Sequence, residues 1–304
     1  MLLLAGGIGA ASALRDMGWR TFAVALASVA LAPLLVALLV STLQVFAQLA
    51  RFVVLLPPEG RAPLRDLLDA TAIGALLNYT TPLRSGDAYR LVRLAPAGEG
   101  QKGRLAPLLA AIVVERIADV GVLFAMAAWA SGPELVSWLS RSLPTGWTVA
   151  ALAALIAALA GAGLVFARRL PRALGSFVGS AWGLLRSPRF ASSIGVAFAT
   201  WALDAGTLYW TSRSGGYPLS FRDAMQCVFV LNVGIAFPIT VGNVGIFEAT
   251  LGYALSRHGI PAEHALAIAT VEHFAKMAGL FACVGLLRLG RLVPGLGATR
   301  RHPA

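Results

Sequence analysis

The sequence predicts an all-α, polytopic integral membrane protein with two inverted structural repeats, each carrying a re-entrant broken helix. Three observations point there. Of 304 residues 58% are hydrophobic and 13% charged, about half the charge of an ordinary soluble domain. The mean hydropathy is +0.75, and several apolar runs approach the ~20 residues a bilayer crossing needs. Basic residues, 25 against 14 acids, fall in clusters between those runs, as cytoplasmic loops do. This composition excludes a secreted disulfide scaffold, a nucleic-acid-binding domain and a Rossmann-type enzyme. Cys227 and Cys283 lie in apolar stretches without metal-ligand or redox spacing, so no disulfide or metal site is implied.

Met1 to Leu14 resembles a signal-peptide core ending at Ala11-Ser12-Ala13, but it lacks a basic n-region. Fourteen residues fall short of the hydrocarbon core, so this segment is expected to tilt, thin the bilayer or be the tail of a longer helix. A long apolar stretch follows from Thr21 to Leu56, interrupted by Gln44, Gln48 and Arg51 at helical spacing. Pro57-Pro58-Glu59-Gly60 ends it, because proline lacks a donor and clashes with the preceding turn. The run from Leu67 to Tyr79 contains Asp69 and meets Asn78 and Pro82 before it is long enough to span. Full crossings are expected at about 105–130, 147–167, 191–212 and 262–287. A second interrupted segment, Ala224 to Ile239, ends at Pro238.

If both interrupted segments return to the side they entered from, most basic residues share one side. They gather around 51–65, 84–104, 168–189 and 288–301, with few opposite. Making either segment a full crossing would put basic loops outside, so the positive-inside rule favours re-entrant geometry. The C-terminal tail, 291–304, is then cytoplasmic, and the protein is a multi-pass component of the cytoplasmic membrane.

Sliding the chain by 156 to 157 positions brings Arg65-Asp66 onto Arg222-Asp223, Pro82 onto Pro238, Gly86 onto Gly242 and Glu115 onto Glu272. Three crossings separate equivalent points, so the halves, about 15–142 and 143–290 of a single transmembrane domain, should be oppositely oriented. Paired broken helices in inverted repeats are a transporter pattern, and the breaks point to the substrate path.

The first break contains Asn78, Pro82, Arg84, Gly86, Asp87 and Arg90. Proline and glycine let the chain turn inside the membrane, Asn78 can satisfy freed backbone groups, and Arg84 and Arg90 can hold a phosphate. Arg84 and Arg93 equally fit ordinary headgroup-level anchors. The second break contains Asn232, Pro238, Gly242, Gly245 and Glu248, which suits an exposed helix N-terminus facing an anionic headgroup; helix-packing glycines are the plainer alternative. Glu115, Arg116 and Asp119 lie well inside one span, and Glu272, His273 and Lys276 inside its repeat mate. Charge at that depth costs at least ~2.5 kcal/mol per residue on insertion scales and marks functional positions or a structural ion-pair network. Glu115 and Asp119 need a partner or a proton, Glu272 and Lys276 can pair with each other, and Asp204 fits either account.

The Asn78/Pro82/Gly86-Asp87/Arg90, Glu115-Arg116-x-x-Asp119 and Pro238/Gly242/Gly245/Glu248 patterns together resemble the flippase-like membrane family that includes the transmembrane region of lysylphosphatidylglycerol synthase. The resemblance runs from about Gln44 to Gly285. It departs at Asn243, where a glycine is usual, and at His273, where an arginine is common. It implies movement of a lipid or lipid-linked substrate across the membrane. The soluble aminoacyl-transfer domain of the full synthase has no counterpart among these residues, so synthase activity is not implied.

The expectation is therefore a flippase-like translocator of a lipid with an anionic or polar headgroup, not an enzyme, without cofactor. Its partners are membrane lipids, with a homo-oligomer or a lipid-synthesising enzyme as further partner, and no nucleic acid. The alternatives are an intramembrane lipid-modifying enzyme, with a buried carboxylate as general base, and a membrane subunit that positions a partner enzyme.

Overall fold

The computed structural model describes residues 19–56, 62–81, 85–95, 105–142, 172–235 and 240–292. The described residues form helices and no strands. The first, α1 (Trp19–Ala27), stops short of α2 (Leu31–Leu55), so the expected continuous stretch from Thr21 is broken at its start. Ala30 is extended there, its N–H bonding the carbonyl of Ser214 at 2.7 Å, and Pro33 in the first turn of α2 suits a helix start. Two short helices follow, α3 (Leu64–Thr80) and α4 (Ser85–Leu94), then the long α5 (Leu105–Ser142), kinked at Gly132 with φ 53°. After α6 (Arg172–Leu185) the order recurs: long α7 (Pro188–Ser214), short α8 (Phe221–Gly234), a 3₁₀ turn (Val241–Asn243), short α9 (Ile246–Ser256) and long α10 (Ala262–Leu292).

The residues aligned by the sequence shift can be placed on these helices. Asp66 and Asp223 both fall in the first turn of a short helix, α3 and α8. Helix α3 ends at Thr80 before α4 opens at Ser85, α8 ends at Gly234 before α9 opens at Ile246, and Glu115 and Glu272 lie on the long helices α5 and α10. The span expected at 147–167 and the segment Met1 to Leu14 lie outside the described residues, as do Pro82, Arg84, Pro238 and the tail beyond 292. One stretch read as a basic loop is a helix: α6 packs Phe177, Ala181, Leu184 and Leu185 against the core of α2, α3 and α5. Arg186 stacks on Trp182 beside it, 4.3 Å from the ring centre.

Helix α2 lies between α7 and α10 because small residues let it approach both. A Cβ on Gly206 of α7 would meet Val40 at 3.3 Å, and one on Gly279 of α10 would fall 2.4 Å from the Ser41 hydroxyl. Helices α3 and α4 close on each other more tightly still: a Cβ on Gly86 would sit 1.7 Å from the carbonyl oxygen of Gly74.

The molecule is apolar outside and charged inside. Leu31, Leu35, Leu39 and Leu43 form an exposed stripe along α2, and Ile117, Val120 and Phe124 one along α5. Glu115, Asp204, Glu272 and Lys276 are each at most 4% exposed. Water would favour the reverse arrangement, whereas lipid favours this one. Among the described residues, two helices, Leu31–Leu55 and Ala262–Leu289, are long and apolar enough to cross a bilayer by length and composition alone. Helices α5 and α7 have the length, but Glu115, Arg116 and Asp119 interrupt the apolar run of one and Asp204 that of the other.

Candidate functional site

Two buried charge clusters lie beside the two helix breaks. The first joins α2, α4 and α5. Arg51 bonds Glu115 at 3.1 Å and grips Asp119 with both terminal nitrogens. Arg90 reaches the other Glu115 oxygen at 3.0 Å and Asp87 at 2.9 Å. Arg116 bonds both Asp87 oxygens, at 2.9 and 3.0 Å, and lies 3.5 Å from Asp119. Three guanidiniums thus face three carboxylates, and this neutrality is what allows six ions to share a low-dielectric site. The aromatic ring of Phe52 lies under Arg90, 4.5 Å from the guanidinium carbon, and Trp201 donates to the backbone carbonyl of Asp119 at 3.2 Å.

The cluster ties the first break in place. Asn78, near the end of α3, accepts the Gly86 N–H at 2.9 Å and bonds Asp87 at 3.4 Å. It satisfies a backbone donor at the N-terminus of α4, as expected of a polar residue at a broken helix. Arg90 differs from its expected role. It is 4% exposed and committed to Glu115 and Asp87, so in this conformation it anchors α4 to α5 and does not meet a headgroup. Arg51, read as a loop anchor, is equally buried inside α2 and is the hub of the cluster.

The second cluster joins α2, α7 and α10. Lys276 Nζ lies 2.9 Å from Asp204 and 3.5 Å from Glu272, so its closer partner is the aspartate and not the glutamate one turn away. Gln44 donates to the same Asp204 oxygen at 2.8 Å. Thr211 Oγ1 lies 2.7 Å from Glu272 Oε2, while Glu272 Oε1 has no hydrogen-bond partner. Beside it, His273 pairs with Glu248 at 2.6 Å and stacks on Phe247, ring centres 4.2 Å apart. The other Glu248 oxygen accepts the Gly245 N–H at 2.7 Å, closing the first turn of α9 after the second break. Gly245, at φ 86°, and Gly242, at φ 65°, hold left-handed conformations that favour glycine. Asn232 turns back on its own helix, donating to the Val228 carbonyl at 2.9 Å.

The breaks also meet each other. A Cβ on Gly242 would lie 3.3 Å from the carbonyl oxygen of Tyr79, near the end of α3, and Tyr79 is within electrostatic reach of Lys276. Of the predicted residues, Asn78, Gly86, Asp87, Arg90, Glu115, Arg116 and Asp119 form one connected set. Glu272 and Lys276 belong to the neighbouring one, and Glu248 lies beside it, paired with His273. Sequence reasoning missed Arg51, Gln44 and Thr211 as members. Polar side chains interrupting a long apolar run were the available signal for the first two; a threonine in a helix gives none. An open hollow lined by Gln226, Arg222, Asp223, Arg257 and His258 shares no residue with either cluster. No group of three or more His, Cys, Asp or Glu side chains suited to a metal occurs among the described residues.

Comparison with curated proteins finds no match. The family model described as the lysylphosphatidylglycerol synthase TM region matches residues 1–283, nearly the whole chain and all of both clusters. With its apolar exterior, buried ion clusters and paired helix breaks, the chain is an integral membrane protein belonging to the lysylphosphatidylglycerol synthase transmembrane-region family.

Proposed function

We propose that the protein translocates a lipid or lipid-linked substrate with an anionic or polar headgroup across the cytoplasmic membrane, its two halves being inverted and its two broken helices re-entrant. The observation that carries the reading is the meeting of the breaks at Gly242 and Tyr79, with a buried charge cluster beside each. Broken helices free backbone groups at membrane depth, and such groups are tolerated where they line a polar path. The clusters supply fixed charge along that path, and charge this deep is costly unless it serves function. Arg90 enters the path only if Asp87 or Glu115 releases it, so the role proposed for it is a gate that opens for a headgroup phosphate. The family's name supports a phosphatidylglycerol-type lipid as the first substrate to test.

The name also favours a second reading, a membrane subunit that positions a lipid-synthesising enzyme. The test of both is reconstitution of the purified protein into vesicles carrying a dye-labelled phosphatidylglycerol. Dye in the inner leaflet should become accessible to an external quencher, and the extracted lipid should be chemically unchanged. Vesicles indistinguishable from protein-free controls would refute the proposal. A covalently altered lipid would point instead to an intramembrane enzyme.

A further inference from the structure

The two clusters differ in their charge balance. In the first, three arginines match three carboxylates. In the second, Asp204 and Glu272 face the single ammonium of Lys276. With both acids ionised the second cluster would carry a net negative charge in a site where Glu272 is 0%, Asp204 3% and Lys276 4% exposed. An uncompensated buried charge is strongly unfavourable, so one more positive charge belongs there. A metal ion does not fit, because the ammonium already occupies the position between the two carboxyl groups.

Hydrogen-bond accounting identifies where a proton sits. Asp204 accepts from Lys276 at 2.9 Å and from Gln44 at 2.8 Å, so an acceptor oxygen there meets two donors. Glu272 is held less closely: its Oε1 makes no hydrogen bond and lies 3.5 Å from the Lys276 ammonium, and its Oε2 meets only the Thr211 hydroxyl. That hydroxyl has one proton to give. It lies 2.9 Å from the backbone carbonyl of Thr207, which can only accept, and 2.7 Å from Glu272 Oε2. If its proton goes to the carbonyl, the short contact with Glu272 is a hydrogen bond only when Glu272 is the donor. Both contacts are then satisfied and the cluster is neutral.

The surroundings agree with this assignment. The groups facing the pair are Gln44 from α2, Thr211 from α7, the Phe247 ring from α9, 5.6 Å from the Lys276 nitrogen, and Tyr79 from α3. The neighbouring His273 and Glu248 are paired with each other. Lys276 is therefore the only cation in contact with the two acids among the described residues.

We propose that Glu272 holds an exchangeable proton on Oε2, donated to Thr211 in the closed bundle and released to water when α7 and α10 separate, so that lipid movement is coupled to proton movement. The coupling rests on the translocation reading; the proton site does not. The equivalent residue of the first half, Glu115, is held by Arg51 and Arg90 and has no proton to exchange.

Infrared spectroscopy of the full-length protein in vesicles tests the site directly. The wild type should show the carbonyl band of a buried carboxylic acid, shifted in heavy water. The band should vanish in Glu272→Gln and persist in Glu115→Gln. Thr211→Val keeps the side-chain shape and should shift the band without abolishing it, which provides a readout if Glu272→Gln does not fold. No band in the wild type, its persistence in Glu272→Gln, or an unshifted band in Thr211→Val would overturn the site. An imposed pH gradient should change the rate of dye-labelled phosphatidylglycerol movement several-fold in wild type and not in Glu272→Gln. Lipid movement indifferent to the gradient would overturn the coupling and leave translocation standing. The acid band without any lipid movement would overturn coupling and translocation together while supporting the proton site.

Discussion

Arg51 of α2 and Glu115 of α5 lie 3.1 Å apart, each about 3% exposed at its side chain, and Arg51 also holds Asp119 one turn further along α5. One guanidinium thus fastens the long helix α5 to α2 and prevents two like charges on one helix face from repelling each other. Arg51→Gln should destabilise the protein by about 3–5 kcal/mol, because it leaves buried carboxylates short of a counter-charge. Arg51→Lys should recover only part of that loss, since an ammonium cannot reproduce the forked contact with two acids. Thermal unfolding of the two variants in detergent checks both; a wild-type midpoint for Arg51→Gln would contradict the cluster.

The approach of α3 and α4 predicts a sharp glycine requirement. A methyl group on Gly86 would fall on the Gly74 backbone, so Gly86→Ala must force the helices of the first break apart at a cost of about 1–3 kcal/mol or more. Gly121 on α5 has open space where its Cβ would be, and Gly121→Ala should be neutral or slightly stabilising. The contrast in melting temperature between these two methyl additions is the measurement.

Glu115→Gln and Glu272→Gln should differ in stability although both glutamates are buried within long helices. The sequence alone suggests that losing Glu272 strands Lys276, but the ammonium is closer to Asp204. A neutral amide also resembles the protonated acid proposed there. Glu272→Gln should therefore unfold within about 1 kcal/mol of wild type. Glu115→Gln removes the carboxylate shared by Arg51 and Arg90, leaving three guanidiniums facing only Asp87 and Asp119, and should lose several kcal/mol. Equal losses would contradict the assigned pairing.

The helical class, the short segments beside each break and the positions of Glu115 and Glu272 were legible because periodicity, hydropathy and the Pro/Gly punctuation are local properties. The pairing of the charges was not. Glu272 and Lys276 sit one turn apart, which made each the other's obvious partner, yet Asp204, 72 positions away from Lys276 in sequence, provides the shorter contact. Arg51 reads as a cytoplasmic anchor when only its distance from Pro57 is considered; that it faces inward depends on how α2 rotates between its neighbours. Helix α6 was missed because the arginines at either side of it weigh more in a hydropathy reading than the apolar face formed by Phe177, Ala181 and Leu184.

The inverted topology is tested with single cysteines at Gly98 and Ser140, in a background lacking Cys227 and Cys283. They should react with a membrane-impermeant thiol reagent from opposite sides of the membrane. Reaction from the same side would remove the inverted relation between the halves, and with it the re-entrant reading of the breaks.

The central claim, that the charge clusters beside the paired breaks serve lipid movement, is tested most directly by the rate at which Glu272→Gln moves dye-labelled phosphatidylglycerol in vesicles, measured on a preparation whose melting temperature matches wild type. The account predicts a fall of at least about tenfold, equivalent to about 1.4 kcal/mol on the barrier. A wild-type rate in that stably folded variant would contradict it.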